Sequence, residues 1–406
     1  MTRRAIAYLC SEYPAISHTF IYREIESLRN AGMTVHTASI RRSTNLQVMT
    51  SPEQLEAENT LMVLDQPLPL IVSAHMHCLK TNPKGYLRMA RAALKLLIKG
   101  PKSTVKAFGY LAEAGILLQW MQRLDITHIH EHFANPTAIV AMLMKTYGGV
   151  SYSLSVHGPD IFYVVDSAML SDKVREAAFV RCISHYCLSQ IMRISEPATW
   201  NKLHIVRCGV NPDLYTVRKD PRNAIPNILC VGRLVPAKGQ HILLEACRLL
   251  KEEGLAFHVT IIGEGPDSTS LEEFTRRNEL NDIVTFTGVL GQNTVRDYYD
   301  KADIFVLASF AEGVPVVLME AMAKEISVIS TRITGIPELI DHEHDGLLAT
   351  PGDTNDLAQQ IKRLLVDSDL RRQYGKAGRN KVISLYNQHI NNLEMVNLFN
   401  EECLRS

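Results

Sequence analysis

DIFVLASFAEGVPVVLMEAMAKE (303–325) opens on an unbroken apolar run and ends on a helical pattern. The run from Asp303 to Ser309 is continuous rather than alternating, as a strand covered by helices on both faces should be. Residues 315–324 then read as a helix, with Pro315 suited to a first helical position. Glu312 falls in the loop between strand and helix, and Glu320 follows eight residues later, one to two turns into the helix. Both carboxylates therefore belong to the carboxyl end of a sheet, where open α/β folds bind ligands. Gly313 lets the backbone come close to a ligand, and the free N–H groups of a helix start suit a phosphate. Two readings of the pair stand: carboxylates that grip vicinal hydroxyls, or acidic residues that help a helix N-terminus.

The same alternation surrounds this stretch. ILCVGRL (228–234), FHVTIIG (257–263), VTFTG (284–288), SVISTR (327–332) and GLLAT (346–350) read as strands, with helices around 239–252, 268–278 and 315–324. Upstream, AIAYLC (5–10), FIYREIESLRNAG (20–32) and TVHTAS (34–39) begin β-α-β. HIHEHF (128–133) and YSLSVH (152–157) continue it, and AFVRCIS (178–184) and LHIVRCG (203–209) close that sheet. NPDLYTVRKDPRNAIPN (211–227) is polar, holds three prolines and reads as a linker. The expected architecture is α/β: two Rossmann-like, doubly wound domains facing across a cleft, spanning 1–210 and 211–385. The last 36 residues read as helices around 370–384 and 387–402.

A chain of 406 residues, 46% of them apolar, has enough material for two cores. Lys plus Arg number 43 and so do Asp plus Glu, which leaves no summed charge for a polyanion and argues against nucleic acid as a main partner. The eight cysteines form no CxxC pair, fitting a reducing compartment. The apolar run after Arg4 is too short for a signal-peptide core, and no window reaches 18 uninterrupted apolar residues, so the expected location is cytoplasmic, with membrane-surface attachment left open.

Other segments carry chemistry. In CVGRLVPAKGQ, Arg233 and Lys238 lie just past a strand, in a loop that Gly239 closes; they read either as a diphosphate clamp or as solvated loop cations. GEGP (263–266) places Gly263 and Gly265 after another strand, where a nucleobase or phosphate can enter, but it lacks the full dinucleotide fingerprint. HGPD (157–160) ends a strand on His157, with Asp160 placed to orient a neighbour. His128, His130 and His132 share one face of a strand as metal ligands would. We read them as ordinary cleft or packing histidines, because a buried parallel strand brings no carboxylate or cysteine with the required geometry. Ser17, His18 and Thr19 either line an acceptor or cap a helix. Asp367 and Asp369 read as a helix cap rather than a metal-binding pair, and no metal is expected. Arg88, Arg91, Lys95 and Lys99 form a helical stripe beside Leu87, Ala90, Leu94, Leu97 and Ile98, either a solvated surface or a face for anionic lipid.

In this order, HGPD, GRLVPAKG, GEGP, the E-x7-E element and TGIPELIDHEHDGLL (334–348) resemble the retaining glycosyltransferases of family 4, which have the GT-B fold. The opening YPAISHTFIYREIESLRNAG is similar to the subgroup that builds bacterial exopolysaccharides such as colanic acid; it has Ala15-Ile16-Ser17 where many relatives carry a glycine pair. The resemblance implies that Glu312 contacts hydroxyls of a donor sugar and Glu320 the ribose. It further implies that Arg233 and Lys238 hold the diphosphate, that Gly313 and Val314 add phosphate contacts, that His157 sits near the transferred sugar, and that the segment 386–406 crosses back to the first domain.

The implied reaction moves a hexosyl group from a UDP- or GDP-sugar to a hydroxyl of a growing glycan carried on a polyprenyl diphosphate, with retention at the anomeric carbon. Two other readings remain: a sugar-nucleotide epimerase or hydrolase of the same fold, and a non-catalytic carbohydrate-binding subunit.

Overall fold

The computed structural model describes residues 5–15, 19–43, 49–95, 101–158, 160–165, 169–217 and 224–403, with the side chains of 101–105 and 160 excepted. Ile16, Ser17, His18, Leu97, Ile98, Lys99 and Pro159, named above, lie outside the described residues, as does the Asp160 side chain.

The chain forms two compact units. The first comprises residues up to Ile183, Cys187–Val206 and the chain from Asn392 onward; the second comprises Ser184–Tyr186 and Arg207–Asn391. In sequence order the first holds β1 (Ala5–Glu12), α1 (Thr19–Asn30), β2 (Thr34–Arg41), α2 (Ser51–Asn59), β3 (Leu61–Met62), α3 (Leu68–Thr81), α4 (Pro83–Lys95), α5 (Pro101–Arg123) and β4 (His128–His132). It continues with α6 (Thr137–Tyr147), β5 (Ser151–Val156), α7 (Asp160–Tyr163), α8 (Leu170–Glu176), β6 (Val180–Cys182), α9 (His185–Ile194) and β7 (Leu203–Ile205). These strands form one sheet in the order β3-β2-β1-β4-β5-β6-β7, with every pairing parallel.

The second unit runs β8 (Asn227–Val231), α10 (Gln240–Glu252), β9 (His258–Ile262), α11 (Ser268–Arg277), β10 (Val284–Phe286), α12 (Gln292–Lys301), β11 (Ile304–Leu307) and α13 (Val316–Ala323). It ends with β12 (Ser327–Thr331), α14 (Ile336–Leu339), β13 (Leu347–Ala349), α15 (Thr354–Val366) and α16 (Ser368–Leu385); the last helix, α17 (Gln388–Glu402), belongs to the first unit from Asn392 onward. Its parallel sheet has the order β10-β9-β8-β11-β12-β13. Strand order reverses direction between β1 and β4 in the first sheet and between β8 and β11 in the second. Those reversals open the crevices in which doubly wound sheets take ligands.

Packing follows the apolar pattern. In α10, Leu243, Leu244, Cys247 and Leu250 face one way and close over Ile228, Cys230, Val259 and Ile261 of β8 and β9. In α17, Met395, Leu398 and Phe399 join Tyr8, Ile25 and Phe179 in the core of the first unit. Asp367 caps α16 by accepting from the N–H groups of Asp369 and Leu370 at 3.0 and 2.9 Å. Segment 51–81, for which the sequence pattern names no element, holds α2, β3 and α3; β3 is an edge strand two residues long, too short for a period to show.

The basic stripe also differs from expectation. The described part of helix α4 ends at Lys95, and Lys99 lies outside the described residues. Its buried side is Gly85, Met89 and Ala93, while Leu87 and Leu94 are exposed with the basic residues. Arg88 is half committed, because its guanidinium donates to the carbonyls of Thr146 and Tyr147 at 3.3 and 3.2 Å.

The most polar strand lies at the centre of the first sheet. All five residues of β4 are buried. Its histidines stand opposite serines of β5, with His128 beside Ser151, His130 beside Ser153 and His132 beside Ser155. The His128 ring pairs with Ser151 and Ser153 at 2.8 and 2.7 Å, and the His130 ring with Ser153 and Ser155 at 2.7 and 2.8 Å. A neutral imidazole has one donor and one acceptor nitrogen and a hydroxyl can be both, so this ladder is satisfied without charge. Burial holds all three imidazoles and that of His157 below the usual histidine range, His128 at about 3. Such groups take up protons only on unfolding, so stability present above their ordinary value of 6.5 is lost as pH falls through it. Thermal melting followed by circular dichroism should be flat from about pH 8 to about 7 and fall steadily towards about pH 5. A profile flat over that whole range contradicts neutral burial of the ladder.

Candidate functional site

The carboxyl edge of the second sheet is built from loops that touch backbone to backbone. A Cβ on Gly263 (φ 143°) would lie 2.0 Å from the Gly232 carbonyl oxygen, and one on Gly265 would lie 2.1 Å from that of Leu234. Gly239 (φ 62°) meets the Ala308 carbonyl oxygen in the same way at 2.1 Å. The loops after β8, β9 and β11 are thereby locked together, and Phe310 N–H donates to the Ala237 carbonyl at 2.8 Å. Gly335, ahead of α14, approaches the Gly313 carbonyl and Val314 from the other side, with contact distances of 2.7 and 2.9 Å for a Cβ placed there.

This frame brings Lys238 to Glu312. The ammonium group donates to Glu312 Oε1 at 2.5 Å, and Ser309 Oγ donates to the same oxygen at 2.7 Å. Thr334 Oγ1 holds the Glu312 carbonyl at 2.5 Å, so the residue is fixed at both backbone and side chain. Glu312 is buried and Lys238 half-buried, while Arg233, in the same loop after β8, is exposed. Among the described residues, the N–H groups of Gly313, Val314, Val316 and Val317 are used by no backbone carbonyl, as at any helix start. A cation, a carboxylate and free N–H donors thus converge at the β8/β11 crevice, a set able to bind an anion and a hydroxyl side by side.

Glu320 does something else. It faces inward from α13, where Tyr215 donates to Oε1 at 2.6 Å and Tyr299 to Oε2 at 3.0 Å. Both tyrosines are buried, and their rings meet edge to face. Nothing in the sequence pattern flags Tyr215, which lies in the polar linker; only the fold carries it to α13. Ser309 and Thr334 were missed for the same reason, since a hydroxyl near a strand end is too common to signal anything by itself.

In the first unit His157 follows β5, buried, with Nε2 2.8 Å from His132 Nδ1. The ring centroids are 4.9 Å apart with planes 19° from parallel, the spacing of two nearly coplanar imidazoles sharing one N–H. Behind His132 lies Glu24 of α1, its Oε1 3.4 Å from His132 Nε2 and accepting from Tyr8 at 2.8 Å, and its Oε2 accepting from Arg181. Burial alone would raise the Glu24 carboxyl, but Arg181 and His132 hold it well below the usual carboxylate range. The carboxylate that stands at the histidine face comes from outside the strand, from α1, which the reading of the strand alone did not include. Ligand atoms of Glu24, His130 and His132 lie within 4.8 Å of one another. Those groups are already engaged by Tyr8, Arg181, Ser153 and Ser155. Next to them, Phe133 and Ala134 have φ of 75° and 52°, two consecutive left-handed residues at the end of β4. Buried Lys173 pins this loop by donating to the carbonyls of Ala134 and Asn135, both at 2.8 Å.

The pattern of the family described as "Glycosyl transferases group 1" matches residues 218–381. The chain is 27% identical over 412 residues to WcaL of Escherichia coli (strain K12), named as a glycosyltransferase of colanic acid biosynthesis, covering 97% of this chain and 98% of that protein. It is 38% identical over 196 residues to the amylovoran biosynthesis glycosyltransferase AmsK of Erwinia amylovora, covering 47% of this chain and 48% of that one. Among solved structures, sucrose-phosphate synthase of Thermosynechococcus elongatus superposes with a TM-score of 0.75 at 21% identity, covering 98% of this chain and 99% of that one. HepE of Anabaena, solved in complex with UDP, superposes at 0.74 and 14% identity, covering 98% and 100%. The chain is a glycosyltransferase of the GT-B fold. Within that class it resembles the enzymes of colanic acid and related exopolysaccharides.

The loop frame is testable without any ligand. Gly263→Ala should cost about 1–3 kcal/mol in urea unfolding, since overpacking adds to the backbone strain. Gly254→Ala is the control: it shares a positive φ (79°) but has no atom within 4 Å of the new methyl group, so it should cost less. Equal losses in the two variants would show that collision with Gly232 plays no part.

Proposed function

We propose that this chain transfers a hexosyl group, with retention, from a UDP- or GDP-sugar to a hydroxyl of a glycan acceptor on a polyprenyl diphosphate, in the synthesis of a surface polysaccharide. The observation that carries the reading is the Lys238–Glu312 pair beside the start of α13. In this scheme the donor diphosphate takes Lys238 and Arg233, together with the N–H groups around Gly313 and Val314. Glu312 turns to hydroxyls of the sugar, Glu320 accepts from the ribose beside its two tyrosines, and the turns at Gly263 and Gly265 leave room for the nucleotide. His157, at the end of β5, is the residue we assign to orienting the sugar. The bond from the anomeric carbon to the diphosphate oxygen breaks, the bond to the acceptor oxygen forms on the same face, and the acceptor proton leaves with the diphosphate. Lys238 and Arg233 stabilise the charge that grows on that leaving group, the largest electrostatic contribution available here.

Among the described residues no helix is long and apolar enough to cross a membrane. A lipid-borne acceptor would be met at a membrane surface, for which Arg88, Arg91 and Lys95 offer positive charge. The epimerase or hydrolase reading needs no acceptor, so product formation with and without lipid-linked glycan separates it from transfer. The test of the whole scheme is a screen of UDP- and GDP-sugars for saturable binding, followed by linkage analysis of the product; binding by none of them overturns it. Lys238→Ala should lower donor turnover by about tenfold or more while circular dichroism stays native. Unchanged turnover removes the assigned role.

A further inference from the structure

The outer layer of the first unit carries an uncovered apolar ridge. In α3 the inward side is Ala74 and Cys78, which pack towards α5. The opposite side presents Leu68, Val72 and Met76, exposed by 71%, 55% and 48%, at a spacing of four residues. Leu79 continues the line. An amphipathic surface helix reverses this pattern, placing polar residues outward. A single exposed leucine means nothing, but a file of them along one helix face marks a surface that something covers.

Charge indicates what covers it. Only Asn82 separates α3 from α4, and both helices lie on α5. The outward side of α4 carries Lys84, Arg91 and Lys95 with Leu87 and Leu94 among them. From Gln66 to Ala112 the chain has no Asp or Glu and eight Lys or Arg, although its total charge is zero. All of the imbalance is therefore compensated elsewhere, and this layer is locally cationic. A second copy of the chain would bring like charge against like charge. A polyanion would satisfy the cations and leave the ridge of α3 in water. A bilayer with anionic headgroups satisfies both, through phosphates for α4 and acyl chains for Leu68, Val72 and Met76.

We propose that α3 and α4 together form an interfacial docking surface for anionic phospholipid, in which the α3 ridge enters the acyl boundary and α4 sits among the headgroups. The proposal deepens the reading of a lipid-borne acceptor and rests on it for its purpose, but its test uses neither donor nor acceptor. Full-length protein is floated with vesicles of phosphatidylglycerol and phosphatidylcholine, or of phosphatidylcholine alone, at low and high salt. The anionic vesicles should carry it at low salt and the neutral ones should not. Lys84→Glu with Arg91→Glu should abolish flotation. Val72→Glu with Met76→Glu, which leaves every basic residue in place, should weaken it about tenfold. Thermal melting and UDP-sugar binding of both variants should match the parent, which separates failure of this proposal from failure of the donor site. Absence of flotation, flotation indifferent to the α3 variant, equal binding to a polyanion such as heparin, or a dimer in sedimentation that the α3 variant dissolves would each overturn it.

Discussion

Three glycines allow the loops at the carboxyl edge of the second sheet to lie backbone against backbone, and the candidate site depends on that contact. Gly263 and Gly265 rest on the carbonyls of Gly232 and Leu234, and Gly239 rests on that of Ala308. A methyl group at any of them would occupy the space of a carbonyl oxygen. The packing fixes the loop that carries Arg233 and Lys238 against the loop that carries Glu312, so a salt bridge forms between residues 74 positions apart. Pre-organisation of this kind lets charged side chains act on a ligand without first being collected from solvent.

The first unit solves the opposite problem, a polar strand in the middle of a buried sheet. His128 and His130 are satisfied by a ladder of serines, and His132 pairs with His157 while its other nitrogen lies 3.4 Å from Glu24 of α1. Glu24 is itself fully engaged by Tyr8 and Arg181. Removing one partner from such a set would leave a buried charge unpaired, which costs far more than the pair contributes. The histidines are thus neutral structural members in a file that ends at His157.

Much of this was legible in the linear pattern. The strands of the second unit are long continuous apolar runs, and the loops after them carry Gly, Arg, Lys and Glu at spacings that only a strand end explains. The pairing of Asp367 with the start of α16 was readable because a cap is a local interaction. Edge strand β3 was not, since two residues cannot establish a period. Nor was the partnership of Glu320 with Tyr215, because it spans 105 residues and joins a linker to a helix. The basic stripe was readable on α4, but the apolar ridge of α3 beside it was not. Leu68, Val72 and Met76 look like any buried face until the structure shows that α3 turns Ala74 and Cys78 inward instead.

By itself the amino-acid sequence determined the class: two doubly wound α/β units, the strand ends that bear the charged and glycine-containing loops, and the order of the motifs along them. These follow from local rules of period, capping and turn chemistry that act over a few residues. Only the tertiary structure decided which charged groups meet, which carboxylate stands behind His132 and which helix face stays uncovered. Each of those depends on elements far apart in the chain lying side by side, and burial and charge pairing act through space rather than along the sequence.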